Sequence, residues 1–125
     1  MQLLDIPATS RSPAISFDGG AGTLALKGES YPEDAAALFG PVLRQIQQWL
    51  LTDPRSLAVD LELTYFNSST AKALMNLFQM LEAAAERGWS IVINWRHGAD
   101  DETMAEFGED FAEDFEHAKF QLIAL

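Results

Sequence analysis

Cysteine is absent from the chain, which excludes disulfides, thiolate-bound zinc and thiol nucleophiles together and fits a reducing compartment. Basic residues are scarce. Eight Lys and Arg against nineteen Asp and Glu give a formal net charge of −11, so nucleic acid and anionic membrane surfaces are repelled before a specific contact forms. Proteins are therefore the expected partners, with no nucleic acid and no membrane insertion. No apolar run reaches the roughly 20 residues of a membrane span, and Met1 to Pro7 lacks a basic n-region, so no signal peptide is expected and the expected location is the cytoplasm. There are only two histidines, no glycine-rich phosphate loop, no Walker motif and no Gly-x-Ser-x-Gly elbow, so catalysis is not expected. Nine carboxylates crowd positions 100 to 116 without the Asp-x-Asp-x-Asp-Gly pattern of a calcium loop. No metal and no cofactor are expected.

What is present reads as one domain. A chain of 125 residues hides roughly two thirds of its unfolded surface on folding, enough for a real core. Residues 1–13, with two prolines and a polar Thr9-Ser10-Arg11-Ser12 run, read as an extended leader, poorly ordered at its start. Ile15 and Phe17, then Gly19 to Gly22, then Leu24 and Leu26 signal a β-hairpin. A helical pattern runs from Pro32 to Leu50 and is interrupted at Gly40-Pro41, where the helix either kinks or begins. Leu57, Val59, Leu61, Leu63 and Tyr65 alternate as a strand with Tyr65 on the apolar side, and Ser69 to Arg87 form a second helix stopped by Gly88. Trp89 to Trp95 are a strand, a third helix from Asp101 carries Met104, Phe107, Phe111 and Phe115 inward, and Phe120 to Ile123 suggest a last short strand.

Lys27, Asp60, Glu62, Asn94 and Arg96 fall opposite the apolar strand positions. One side of the sheet is therefore wet, which excludes a doubly wound sheet and implies an α/β fold in two layers: a mixed β-sheet with helices on one face, in the order β-β-α-β-α-β-α-β.

Function is expected where the long strand hands over to the second helix, at Tyr65-Phe66-Asn67-Ser68-Ser69-Thr70-Ala71-Lys72. Three hydroxyls in a row sit where a helix offers unpaired N–H groups and the positive end of its dipole, a setting that binds an attached phosphate. Helix capping by Asn67 or Ser68 explains part of the segment. It does not supply a capping box, because Ala71 and Lys72 stand where Glu or Gln would be needed. Lys72, unfavourable beside a bare helix N-terminus, becomes favourable one turn from a phosphorylated Ser68. Ser68 is the expected phosphorylation site, with Ser69 and Thr70 as second choices, and Asn67, Ser69, Thr70 and Lys72 as its neighbours and partner contacts.

Other readings use the same residues. A serine hydrolase would join Ser68 to His97 and Asp60, but His97 lies in a loop sequence without supporting context. A small-molecule sensor would recruit tryptophans and phenylalanines that core packing already explains, Trp89 and Trp95 being the least committed. The acidic side of the third helix is either a solubilising face or a site for a basic partner.

Four blocks together carry a resemblance: Ser30-Tyr31-Pro32-Glu33, Leu38 to Leu43, Leu61 to Ala73, and Val92-Ile93-Asn94-Trp95. From about Pro13 to the last strand the chain resembles the SiaC family of bacterial regulatory phosphoproteins, itself similar to the STAS fold of anti-sigma-factor antagonists. The resemblance implies a serine or threonine phosphorylated by a dedicated protein kinase and freed by a PP2C-type phosphatase. It places the acceptor directly after the Asn of a Tyr-x-Asn motif, at Ser68, where the family often has threonine. It further implies that the unphosphorylated form binds and activates a diguanylate cyclase, raising cyclic di-GMP signalling and with it biofilm regulation. An anti-sigma-factor antagonist would show Asp-Ser followed closely by glycine, whereas Asn67 and the lack of glycine before Gly88 favour the SiaC branch.

Overall fold

The computed structural model describes residues 3–125. In chain order the elements are β1 (Leu3–Ile6), β2 (Ala14–Asp18), β3 (Thr23–Ser30), α1 (Ala35–Leu50), β4 (Ser56–Phe66), α2 (Ser68–Glu86), β5 (Ser90–His97), α3 (Glu102–Ala112) and β6 (Lys119–Ala124). The strands form a single sheet in the order β1-β2-β3-β4-β5-β6. β1, β2 and β3 pair antiparallel, and β3 to β6 pair parallel across the helical crossovers. The mixed two-layer α/β architecture is as expected, with one strand more: the leader is not merely extended, because Leu3 to Ile6 pair with Ile15 to Asp18. Four residues with alternating partial burial were too short a run to announce a strand.

Alternation decides the layers. Leu24 and Leu26, Leu57 to Leu63 and Ile91 to Trp95 turn alternate side chains into one core beneath the helices. The opposite face is wet and cross-linked. Asp60 Oδ1 accepts from Asn94 Nδ2 (3.1 Å), Arg96 Nε (3.1 Å) and Arg96 Nη2 (3.0 Å), and Asn94 Oδ1 accepts from Gln121 Nε2 at 2.9 Å. Asp60, Asn94 and Gln121 stand directly opposite one another in the register, and Arg96 reaches Asp60 diagonally from two positions further along β5.

α1 runs through Pro41 instead of starting there, and begins at Ala35 with Asp34 accepting from the Ala37 N–H at 3.0 Å. A mid-helix proline costs about 3 kcal/mol. Pro41 is exposed, and burial of Phe39, Val42, Ile46, Trp49 and Leu50 on the other side offsets that cost. α2 closes as expected at Gly88 (φ +110°), whose N–H donates to the Ala85 carbonyl while Trp89 N–H reaches that of Ala84. This paired arrangement at a left-handed residue needs glycine.

α3 lies on β5 through Gly108, which is buried against the Trp95 indole. Trp95 also donates from Nε1 to the Met104 carbonyl at 2.8 Å and packs with Phe66, Phe111 and Phe120. A Cβ at position 108 would sit 2.5 Å from Trp95 Cδ1, so Gly108→Ala is expected to destabilise the domain by about 1–3 kcal/mol, read by urea unfolding. The inward stripe expected of α3 is only partly realised. Phe107 is 39% exposed although its ring lies 4.8 Å from Phe66, and Phe115 falls after the helix, in the link to β6.

That link is fastened by Glu82 of α2. Its carboxylate accepts from the backbone N–H groups of Glu116 (2.9 Å), His117 (3.0 Å) and Ala118 (2.9 Å), and meets His117 Nδ1 at 3.1 Å. Burial pushes the Glu82 carboxyl up, but the donated hydrogen bonds outweigh it and hold the group at about 2. The hydrogen bond to Glu82 pushes the His117 imidazole up.

Candidate functional site

β4 reaches the site through a register shift. Gly28 pairs with Leu63, but the next residue, Glu29, pairs with Tyr65, so Thr64 is the extra residue of a bulge. The alternation therefore reverses. Phe66 turns into the core and Tyr65 is exposed, the opposite of the expected assignment, because simple alternation cannot register an inserted residue.

Asn67 follows in extended conformation as the α2 N-cap, its Oδ1 accepting from the Thr70 N–H at 3.0 Å. Its own N–H donates to the Ser30 carbonyl at 3.0 Å, which ties the junction to the end of β3. Three adjacent hydroxyls then separate into two kinds. Thr70 is fully buried: its Oγ1 donates to the Ser30 carbonyl (3.1 Å) and lies 2.7 Å from Ser30 Oγ. Having only one proton to give, Thr70 Oγ1 accepts from Ser30 in return. Ser68 and Ser69, by contrast, are exposed, and neither hydroxyl has a hydrogen-bond partner among the described residues. Thr70, a second choice as acceptor and an expected partner contact, is thus placed inside the protein as a structural hydroxyl.

The buried pair makes a testable unit. Thr70→Val or Ser30→Ala leaves the other buried hydroxyl short of a hydrogen bond, and each is expected to cost about 1–3 kcal/mol. The double variant should cost clearly less than the sum, since it removes both members; a denaturation cycle on the four proteins measures the difference.

Ser68 and Ser69 occupy the first two positions of a 19-residue helix whose early N–H groups point outward with the positive dipole end. Lys72 is exposed one turn on and has no ion pair among the described residues. It borders a cleft of about 540 Å³ between α1 and α2, shared with Ser69, Asn76, Phe39 and Arg44. Tyr65 stacks edge-on with Tyr31 (5.8 Å), whose hydroxyl donates to the Ser10 carbonyl at 2.8 Å while Arg11 lies over its ring. The leader therefore flanks the site as a fixed wall.

The structure does not assemble the hydrolase alternative. Asp60 is spent on Arg96 and Asn94 on the wet sheet face, away from the helices, and His97 Nδ1 meets the Gly98 carbonyl at 2.9 Å. Among the described residues no group of three His, Asp or Glu side chains gathers to hold a metal ion, and no helix is long and apolar enough to cross a membrane. Ser30, the bulge and Glu82 were missed in the sequence. Ser30 had a signal, standing next to Tyr31 in one of the motif blocks; the other two arise only from tertiary pairing.

Fold and site together define a class: a small regulatory α/β domain that presents free serines at a helix start beside an exposed tyrosine. The chain belongs to the SiaC family of regulatory phosphoproteins, whose family model matches residues 6–125. It is 38% identical to a chain in the crystal structure of the Pseudomonas aeruginosa diguanylate cyclase SiaD in complex with its activator SiaC, with a TM-score of 0.93 over 98% of this chain and 99% of that one. It is 36% identical to SiaC of Pseudomonas aeruginosa, with a TM-score of 0.89 over the same shares. An uncharacterised protein of Pseudomonas aeruginosa strain UCBPP-PA14 is 40% identical over 91% of this chain and 90% of its own length.

Proposed function

We propose that this protein is a non-enzymatic, cytoplasmic regulator which, with Ser68 unmodified, binds and activates a diguanylate cyclase, and which a protein kinase silences by phosphorylating Ser68. A PP2C-type phosphatase restores it. The observation that carries the reading is the near-complete correspondence with a chain from a cyclase–activator complex, at 38% identity over 98% of the chain. The exposed, unengaged Ser68 hydroxyl supports its choice as acceptor over buried Thr70. Ser69 is equally open but faces the α1/α2 cleft.

A phosphate added at Ser68 keeps the fold. It meets free N–H groups and Lys72, while a partner lying over the helix start meets a dianion in place of a small neutral group. The test is site mapping of protein isolated from its native cells, joined to a turnover assay of the cognate cyclase. Phosphate on Ser68, with cyclase stimulation by the unmodified but not the phosphorylated protein, is the expected result. Phosphate confined to Ser69, or equal stimulation by both forms, overturns it.

A further inference from the structure

Most basic side chains of this acidic chain are already engaged. Arg11, Lys27 and Arg96 are held in ion pairs, Arg87 donates to the Leu50 carbonyl, and Arg55 lies over the Trp49 ring. Arg44, Lys72 and Lys119 are left without an ion pair among the described residues. Two of these three, carried by different helices, line one cavity: the cleft of about 540 Å³ between α1 and α2. That volume lies within the roughly 300–1,000 Å³ of small-molecule sites.

Arg44 has a place prepared for it. A Cβ at Gly40, one turn earlier in α1, would lie 3.3 Å from Arg44 Nη1, so the guanidinium is folded back over the bare glycine at the cleft wall. Glycine inside a helix costs stability relative to alanine. Here its φ is not positive and no backbone crowds it, so the space it leaves serves the guanidinium. Phe39, Leu43 and Ala73 give the cleft an apolar lining, and Ser69 and Asn76 add a hydroxyl and an amide. The two acids of the cleft are partly spent, Glu33 on Arg11 at 3.6 Å and one oxygen of Asp34 on the Ala37 N–H at 3.0 Å.

We propose that this cleft binds a small sugar phosphate, its phosphate between Arg44 and Lys72 and its carbon skeleton on Phe39 and Leu43. A phosphate monoester is a dianion, matched by two cations, and the planar guanidinium presents paired donors to its oxygens. Ser69 and Asn76 supply further neutral donors. The remaining carboxylate oxygens repel a second phosphate but accept from hydroxyls, which selects a polyol carrying one anionic group over a polyanion. The site stands apart from the Ser68 reading. Arg44 belongs to the cleft alone, whereas Lys72 also neighbours Ser68, so the test uses unphosphorylated protein.

The probes are glucose 6-phosphate, glucose and inorganic phosphate, each titrated calorimetrically into the full chain. Glucose 6-phosphate is expected to bind with a dissociation constant of about 1 mM or below. Glucose and inorganic phosphate, each offering half of the ligand, should bind at least about tenfold more weakly. Arg44→Ala/Lys72→Ala should weaken binding of the sugar phosphate at least about tenfold, while Lys27→Ala/Lys119→Ala, an equal loss of charge away from the cleft, stays within about twofold of wild type. Gly40→Leu, which fills the cleft with a better helix former, should abolish binding without lowering the melting temperature. The proposal is overturned if glucose 6-phosphate does not bind, if inorganic phosphate binds as tightly, if the two double variants behave alike, or if Gly40→Leu binds like the wild type. Neither cyclase nor kinase enters these titrations, so their failure and failure of the Ser68 reading are separate results.

Discussion

Ser68→Asp is expected to weaken binding to the proposed cyclase partner about a hundredfold or more, whereas Ser68→Ala binds like the wild type. A carboxylate trapped in an interface without a partner costs about 3–5 kcal/mol, and each 1.4 kcal/mol is a factor of ten in affinity. The same substitution acts oppositely on the free domain. At the first position of α2 a negative side chain meets the positive helix end and nearby Lys72, worth about 0.3–1 kcal/mol of added stability. Weaker binding by a protein that melts no earlier distinguishes a switch from damage to the fold. Calorimetric titration and thermal unfolding of the three proteins supply both readings. Ser68→Asp that binds normally, or that loses affinity only because it unfolds, defeats the interpretation.

Glu82→Ala is expected to destabilise the domain by about 1–3 kcal/mol near pH 5.5. A carboxyl held at about 2 instead of its ordinary 4.5 contributes at most about 3 kcal/mol, and water reaching this partly exposed group screens part of it. Because the folded value is depressed, the contribution is complete above pH 4.5 and fades as pH falls from there through about 2. His117 has the opposite sign. Its folded value is raised, so its contribution is complete below the ordinary 6.5 and fades as pH rises through the elevated value. The gap between wild type and Glu82→Ala is thus widest between about pH 4.5 and 6.5 and narrows on either side. Urea unfolding at pH 3, 5.5 and 8.5 measures it. A gap independent of pH would assign the loss to packing alone.

Much of this fold was readable because its signals are local. Alternation located β2 to β6 and the wet face, and the second helix lies within one residue of its expected limits because Asn67 and Gly88 mark both ends chemically. The features that escaped depend on distant partners. β1 is a strand only because β2 offers it an edge, and Tyr65 and Phe66 exchange sides because β3 and β4 slip past one another at Gly28. Three consecutive hydroxyls look alike in a sequence, yet Ser30, forty positions away, takes Thr70 out of the surface chemistry and leaves Ser68 and Ser69 to it.

Neighbours in the β-sheet are also neighbours along the polypeptide, from the first strand to the sixth. Assembly can consequently advance by accretion: each new segment leaving the ribosome finds a finished margin to join, and none must be wedged between two that have already zipped together. β6, the last of the six strands to be synthesised, completes the order at the outer margin.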